Sequence, residues 1–119
     1  MRKVLIVEQE QDTRASLEQS LAKLEFEIEH VQSLAECKRR LLKGRYAAVF
    51  SNVCVCGESG LELARWFQEQ RITTRFFLVT RWGGEIEPIY LKAYGIDGLV
   101  HAPVSFTEIR TKVSNHIKC

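Results

Sequence analysis

Strand-like and helix-like stretches alternate along the whole of this 119-residue chain. Continuous β-rich runs such as KVLIV (3–7) and RFFLVT (75–80) predict strands that are buried on both faces of a sheet. Between such runs, apolar residues recur at helical spacing, and Leu17, Leu21 and Leu24 share one face of a helix over 12–24. This alternation predicts right-handed βαβ crossovers and one parallel sheet with helices on both faces.

Five strands and five helices are predicted. The segment FEIEHV alternates between apolar and polar residues, which is typical of a strand with one wetter face, so we place it at a sheet edge. Three helices begin with a capping-box pattern, SLAE (33–36), SGLE (59–62) and SFTE (105–108). A further helix over 85–94 contains Pro88, which is tolerable only in its first turn. The predicted strands cover residues 3–7, 26–31, 47–51, 75–80 and 98–101.

Length and composition are those of one globular domain, residues 1–119. Apolar residues make up 45% of the chain and charged residues 27%, close to the average of such domains. The apolar runs are shorter than a membrane span, and the first one is too short for a signal peptide. We therefore expect a cytoplasmic protein without a membrane contact. The net charge of +2 is too small to predict nucleic-acid binding by itself.

The four cysteines are expected to be free thiols in the cytoplasm: Cys37, Cys54, Cys56 and Cys119. A structural zinc site needs about four ligands, and the Cys54-Val55-Cys56 spacing supplies two. No metal site is therefore predicted. A thiol or metal sensor that uses Cys54 and Cys56 remains an alternative function.

Ligands of parallel α/β sheets bind beyond the carboxyl ends of the strands. The loops of interest are therefore residues 8–10, 52–56, 80–82 and 101–103. A glycine-rich phosphate-binding pattern occurs in none of them, and the first loop, EQEQD, is acidic. This composition disfavours dinucleotide or P-loop binding, and no cofactor is predicted.

Four segments, VLIVEQE, SNVCVCGESG, LVT and GIDGLVHAPVS, resemble the strand ends of the receiver domain of two-component response regulators. The resemblance covers essentially the whole chain. It implies a doubly wound (βα)5 flavodoxin-like α/β domain with a five-stranded parallel sheet in the order 2-1-3-4-5. Members of this family accept a phosphoryl group from a histidine kinase on an aspartate that ends the third strand. That aspartate and an acidic pair after the first strand hold Mg²⁺.

The resemblance assigns a phosphorylation site that has lost most of its chemistry. Asn52 stands where the family has the aspartate that accepts the phosphoryl group. Its amide oxygen is far less nucleophilic than a carboxylate oxygen. Ala102 replaces the lysine that contacts the phosphoryl group, and Gln9 replaces an acid expected to touch the metal. The positions of this degenerate site are Glu8 and Gln9 for the acidic pair, Asn52 for the nucleophile, Thr80 for the hydroxyl and Ala102 for the lysine.

Neighbouring residues extend this prediction. Leu99 occupies the switch position, where the family has a Tyr or Phe that reorients on activation. Arg81 is a candidate replacement charge beside Glu8, although an exposed arginine is the simpler expectation. For His101, the alternatives are a partly exposed loop histidine and a pH-sensitive or metal-binding group that faces Cys54 and Cys56.

The predicted function is a degenerate, phosphorylation-independent receiver, which is not an enzyme and acts as a protein-interaction module. The resemblance implies a kinase, an output domain, another regulator or a second copy of the chain as partner. The contact would use the fourth helix, fifth strand and fifth helix, and nucleic acid would be bound only through a fused output domain. The alternative from the enzyme class is a conventional receiver that accepts the phosphoryl group on another residue of its own, and Glu58 and Asp97 are the nearby acids.

Overall fold

The strands and helices follow one another in the predicted alternation. In the computed structural model, which describes residues 2–55, 57–81 and 88–117, the helices are α1 (Gln11–Lys23), α2 (Leu34–Lys43), α3 (Gly60–Gln70), α4 (Pro88–Ala93) and α5 (Phe106–His116). The strands of the same residues are β1 (Lys3–Val7), β2 (Glu27–Val31), β3 (Ala48–Asn52), β4 (Cys54–Val55), β5 (Glu58–Ser59), β6 (Arg75–Thr80) and β7 (Gly98–His101).

Five of these strands form one parallel sheet in the order β2-β1-β3-β6-β7. Because β6 and β7 are the fourth and fifth strands of this sheet, the predicted flavodoxin-like order is confirmed. The wetter strand β2 lies at an edge, as its alternating sequence predicted.

A small antiparallel hairpin, β4 with β5, was not predicted. It turns through Gly57, whose φ of +79° is a left-handed conformation that favours glycine. Strands of two residues are too short to show a period in the sequence, so the pattern gave no signal for them.

Each face of the sheet has its own hydrophobic core, because successive residues of a strand point to opposite faces. Val4 and Ile6 pack on the face that α1 and α5 cover, while Leu5 and Val7 pack on the face of α2 and α3. Continuous apolar strands are thus explained by burial on both sides.

The helix starts agree with the predicted caps in two cases and differ in one. The hydroxyl of Ser33 accepts a hydrogen bond from Glu36 N at 3.1 Å, and that of Ser105 accepts one from Glu108 N at 3.2 Å. Ser59 accepts instead from Leu61 N at 3.1 Å, so SGLE caps its helix without the predicted contact to Glu62 N.

The strand ends meet at one edge of the sheet. Asn52 lies beside Val79 in the register of β3 and β6, and Thr80 lies beside His101 in that of β6 and β7. The loops after β1, β3, β6 and β7 therefore leave the sheet together. Among the residues that the model describes, no helix is long and apolar enough to cross a membrane.

Candidate functional site

Asn52 and Glu8 form a pair across neighbouring strands. Glu8 directly follows β1 and is only 2% exposed, and Asn52 is the last residue of β3. Asn52 Nδ2 donates to Glu8 Oε1 at 2.9 Å and to Glu8 Oε2 at 2.8 Å. Asn52 Oδ1 accepts a hydrogen bond from Cys54 N at 3.1 Å. Both ends of the amide therefore hold the loop edges in place.

The buried Glu8 carboxylate also accepts from the backbone of Glu10, N to Oε2, at 3.1 Å. A buried carboxylate is costly unless it is hydrogen-bonded. Across the described ranges, no buried side-chain nitrogen or oxygen lacks a hydrogen-bond partner. Two neutral donors, the Asn52 amide and the backbone N–H of Glu10, thus stabilise the buried Glu8 carboxylate by hydrogen bonds.

Arg81 contacts Glu10 and not Glu8, so the considered role of Arg81 as a charge beside Glu8 is wrong. Arg81 Nη2 lies 3.2 Å from Glu10 Oε1, and both side chains are substantially exposed. Glu10 Oε2 accepts from Thr13 N at 2.7 Å and caps α1. This backbone hydrogen bond, with a smaller contribution from the Arg81 charge, lowers the pKa of Glu10.

The other positions of the predicted site surround this pair at the same edge. Thr80 is buried at the end of β6, and its backbone carbonyl accepts from Ala102 N at 2.8 Å. Gln9 is exposed. A groove of about 340 Å³ lies beside Ala102 and is lined also by Arg81, Glu10 and the first turn of α1. Ala102 contributes a methyl group there, where the family has an ammonium group.

His101 faces α5, so the considered orientation towards Cys54 is wrong. His101 Nδ1 lies 2.8 Å from Glu108 Oε2, and His101 N donates to Glu108 Oε1 at 2.8 Å. Glu108 was predicted only as the third helical residue of a capping box. Its carboxylate instead fixes the end of β7 against the start of α5.

Leu99, at the predicted switch position, is 6% exposed and belongs to the core on the side of α2 and α3. It lies beside Leu78 in the sheet. An aliphatic side chain in this place has no hydroxyl that would gain water on the surface. Burial of its side chain is favourable, because a surface position would expose apolar area to water.

The side chains at this edge do not fit Mg²⁺ as ligands, because Mg²⁺ prefers several anionic oxygens. Both oxygens of Glu8 accept from Asn52, and Asn52 Oδ1 accepts from Cys54 N. No group of three metal-ligating side chains occurs in the part of the chain that the model describes. Cys54 is an exposed free thiol. Cys56 and Cys119 lie outside the described residues.

Neither alternative acid lies where Asn52 does. Asp97 accepts from Phe76 N at 2.8 Å and contacts Arg75 at 3.2 Å, near the first residues of β6. It therefore lies at the opposite edge of the sheet. Glu58 is exposed on the hairpin strand β5.

Helix α4 exposes two large apolar side chains, with Ile89 69% and Tyr90 57% accessible. Tyr90 is therefore on the surface, whereas Tyr94 packs against the core. Trp82, whose place in a loop after a strand makes it a candidate interface residue, lies outside the described residues. The exposed pair marks α4 as a surface with apolar area to cover.

Comparison with known proteins agrees with this fold. The model of the response regulator receiver domain family matches residues 4–114. The receiver domain of the TMAO respiratory system response regulator TorR superposes with a TM-score of 0.82 at 25% identity, over 97% of this chain and 95% of that one.

Two further solved structures are similar in fold. The chemotaxis response regulator CheY4 of Vibrio cholerae has a TM-score of 0.83 at 21% identity, over 98% of this chain and 99% of its own. The response regulator TrrA of Thermotoga maritima, solved with Mg²⁺ and beryllium fluoride, has a TM-score of 0.83 at 24% identity, over 98% and 100%. The chain belongs to the response regulator receiver domain family. It is thus a receiver domain of a two-component system.

Proposed function

We propose that this receiver domain takes up no phosphoryl group and works as a constitutive protein-interaction module in the cytoplasm. The observation that carries the proposal is the Asn52–Glu8 pair. In this pair, the Glu8 carboxylate at the strand ends is already engaged by hydrogen bonds inside the protein, and Asn52 adds no second carboxylate.

Phosphoryl transfer depends on positioned groups and on charge neutralisation. The weakly nucleophilic oxygen of Asn52 already accepts from the Cys54 backbone. Ala102 offers no cation to a phosphate, and the nearby Arg81 is engaged with Glu10. These features together support a site without phosphoacceptor activity.

Intact mass after incubation with acetyl phosphate and Mg²⁺ tests the proposal. The expected result is no added phosphate, and a stoichiometric adduct on any residue would contradict it. Asn52→Asp alone should restore little, because Gln9 and Ala102 are unchanged. The matched control is the triple variant Gln9→Asp, Asn52→Asp and Ala102→Lys, which restores the residues that the family uses.

Receiver domains interact with kinases and output domains. We place the contact of this domain on α4, β7 and α5, where Ile89 and Tyr90 supply exposed apolar area. Exposed aromatic side chains are common anchors of protein interfaces.

Pull-down of a partner with the double variant Ile89→Ser and Tyr90→Ser tests this surface. Binding should fall at least about tenfold, or about 1.4 kcal/mol. Leu42→Ser on α2 is the control, because Leu42 is 66% exposed on a different face. Equal losses in both variants would contradict the assignment to α4.

A further inference from the structure

A second groove lies at the amino edge of the sheet, opposite Asn52. It has a volume of about 800 Å³ and is formed by the segments that precede β3 and β6 and by the end of α5. The segments are residues 44–47, 71–75 and 115–117, together with Arg2. Its size is in the range of small-molecule sites, roughly 300–1,000 Å³.

Four arginines line this groove: Arg2, Arg45, Arg71 and Arg75. Among the lining residues that the model describes, none is acidic. The whole chain carries a net charge of only +2, so positive charge is concentrated here. Arg75 is paired with Asp97 at 3.2 Å, whereas Arg45 and Arg71 are exposed and form no ion pair with any other described residue.

Complementation of helix ends does not account for this charge. Helices α2, α3 and α5 end in the groove walls, at the caps Gly44, Arg71 and Ile117. Each end carries about half a negative charge, which gives roughly −1.5 for three helices. Asp97 neutralises Arg75, and the two arginines that form no ion pair with a described residue, Arg45 and Arg71, still exceed the helix ends by about half a charge. This excess matches a small anion.

We propose that this groove, here called the arginine groove, binds a small molecule through a phosphate or diphosphate group. Planar guanidinium groups bind phosphate oxygens through paired, charge-assisted hydrogen bonds. Thr73, Thr74 and Asn115 add polar side chains to the same wall. A groove formed by three short segments suits a compact anion better than a polymer.

The charge distribution of the molecule favours this edge for an anion. The carboxyl edge presents Glu8, Glu10 and Asp12 near the ends of β1 and α1. An anion is therefore repelled at the edge where this fold usually binds ligands and attracted at the opposite one. The arginine groove and the Asn52 site are separate, so the two proposals stand or fall independently.

Calorimetric titration of the full chain with inorganic pyrophosphate at low salt tests the arginine groove. We expect saturable binding with a dissociation constant of about 10–100 μM that weakens as salt is added. Amide resonances should shift in residues 44–47, 71–75 and 115–117, while those of Glu8 and Asn52 stay in place.

The double variant Arg45→Gln and Arg71→Gln should weaken binding at least about tenfold, or about 1.4 kcal/mol. The control is Arg39→Gln with Arg65→Gln, which removes the same charge from exposed positions on α2 and α3 and should change the affinity less than about twofold. The single variant Arg45→Gln, outside the helices, provides a second test with little risk to folding.

Three outcomes would overturn the proposal. One is the absence of saturable binding below about 5 mM pyrophosphate. Another is an equal loss in the control variant, which would indicate nonspecific charge attraction. The third is saturable binding of an oligonucleotide or an acidic peptide in the arginine groove without binding of pyrophosphate, since the groove would then serve a macromolecule.

Discussion

The side-chain amide of Asn52 donates to both carboxylate oxygens of Glu8, at 2.9 and 2.8 Å, across strands β1 and β3. A carboxylate at the position of Asn52 would face Glu8 with a second negative charge, which is unfavourable without a metal ion. An amide of the same shape donates instead. The edge of this sheet is therefore satisfied without a cation.

Removal of the amide should destabilise the domain. In Asn52→Ala, buried Glu8 loses its side-chain donor, and the free energy of unfolding should fall by about 1–3 kcal/mol. Urea unfolding followed by circular dichroism measures this loss. Asn115→Ala is the control, because Asn115 is exposed near the end of α5. A loss at Asn52 no larger than at Asn115 would show that the pair adds little.

Asn52→Asp should be destabilised at neutral pH and partly rescued by Mg²⁺, because a second carboxylate both repels Glu8 and adds a metal ligand. With millimolar affinity, about 10 mM Mg²⁺ contributes about 1.4 kcal/mol to the variant. The wild type should gain much less. Thermal unfolding with and without Mg²⁺ measures both effects, and equal stabilisation of the two proteins would contradict the expectation.

The sequence predicts the sheet well because burial on two faces leaves a strong pattern in β1, β3 and β6. Residues that act through single contacts leave no such pattern. The hairpin around Gly57 is too short for a period, and Arg81 is within reach of two acids that the sequence cannot tell apart. The contact of Glu108 with His101 competes with the return bond of the capping box, and only tertiary geometry decides between them.

Glu29 should contribute stability that is lost in acid. Its carboxylate accepts from Tyr46 Oη at 2.6 Å and from Arg40 at 2.8 Å, and the Tyr46 hydrogen bond is the largest cause that lowers the pKa of Glu29 below its ordinary value of 4.5. A lowered pKa stabilises the folded state above pH 4.5, and this stability disappears as the pH falls through the folded value.

In the variant Glu29→Gln, the free energy of unfolding at pH 7 should be about 1 kcal/mol lower than in the wild type. The difference should shrink as the pH falls below 4.5. Denaturant unfolding at several pH values measures it. Glu27→Gln on the same strand is the control, because Glu27 is exposed and has no ion pair within the described ranges. A pH-independent difference would contradict the role of the charge.

Cys37 and Cys54 should differ strongly in reactivity towards maleimide. Cys37 is buried in α2, and burial raises the pKa of its thiol to about 12, while Cys54 is exposed. Since the thiolate is the reacting form, Cys54 should be labelled and Cys37 protected until the protein unfolds. Peptide mass analysis in a Cys56→Ser, Cys119→Ser background measures the two rates. Comparable labelling of Cys37 in the folded protein would contradict its burial.

Beryllium fluoride, a phosphate mimic, should leave this domain unchanged at fixed Mg²⁺. The wild type lacks the groups that would hold it, and Leu99 is buried in the core, without a ring or hydroxyl that would favour a surface position. A ligand shifts an equilibrium only by its differential affinity for two states. Amide spectra and partner affinity should therefore stay the same, and a tenfold change in affinity, about 1.4 kcal/mol of coupling, would show a live site.

The triple variant Gln9→Asp, Asn52→Asp and Ala102→Lys separates the site from the switch. It should regain binding of beryllium fluoride, with amide shifts near Thr80, because its ligands are restored. Partner affinity should still change less than about twofold, since Leu99 remains in the core beside Leu78. Addition of Leu99→Tyr to the triple variant then supplies a ring and a hydroxyl that can exchange between core and surface. Coupling that appears already in the triple variant would place the switch in a residue other than Leu99.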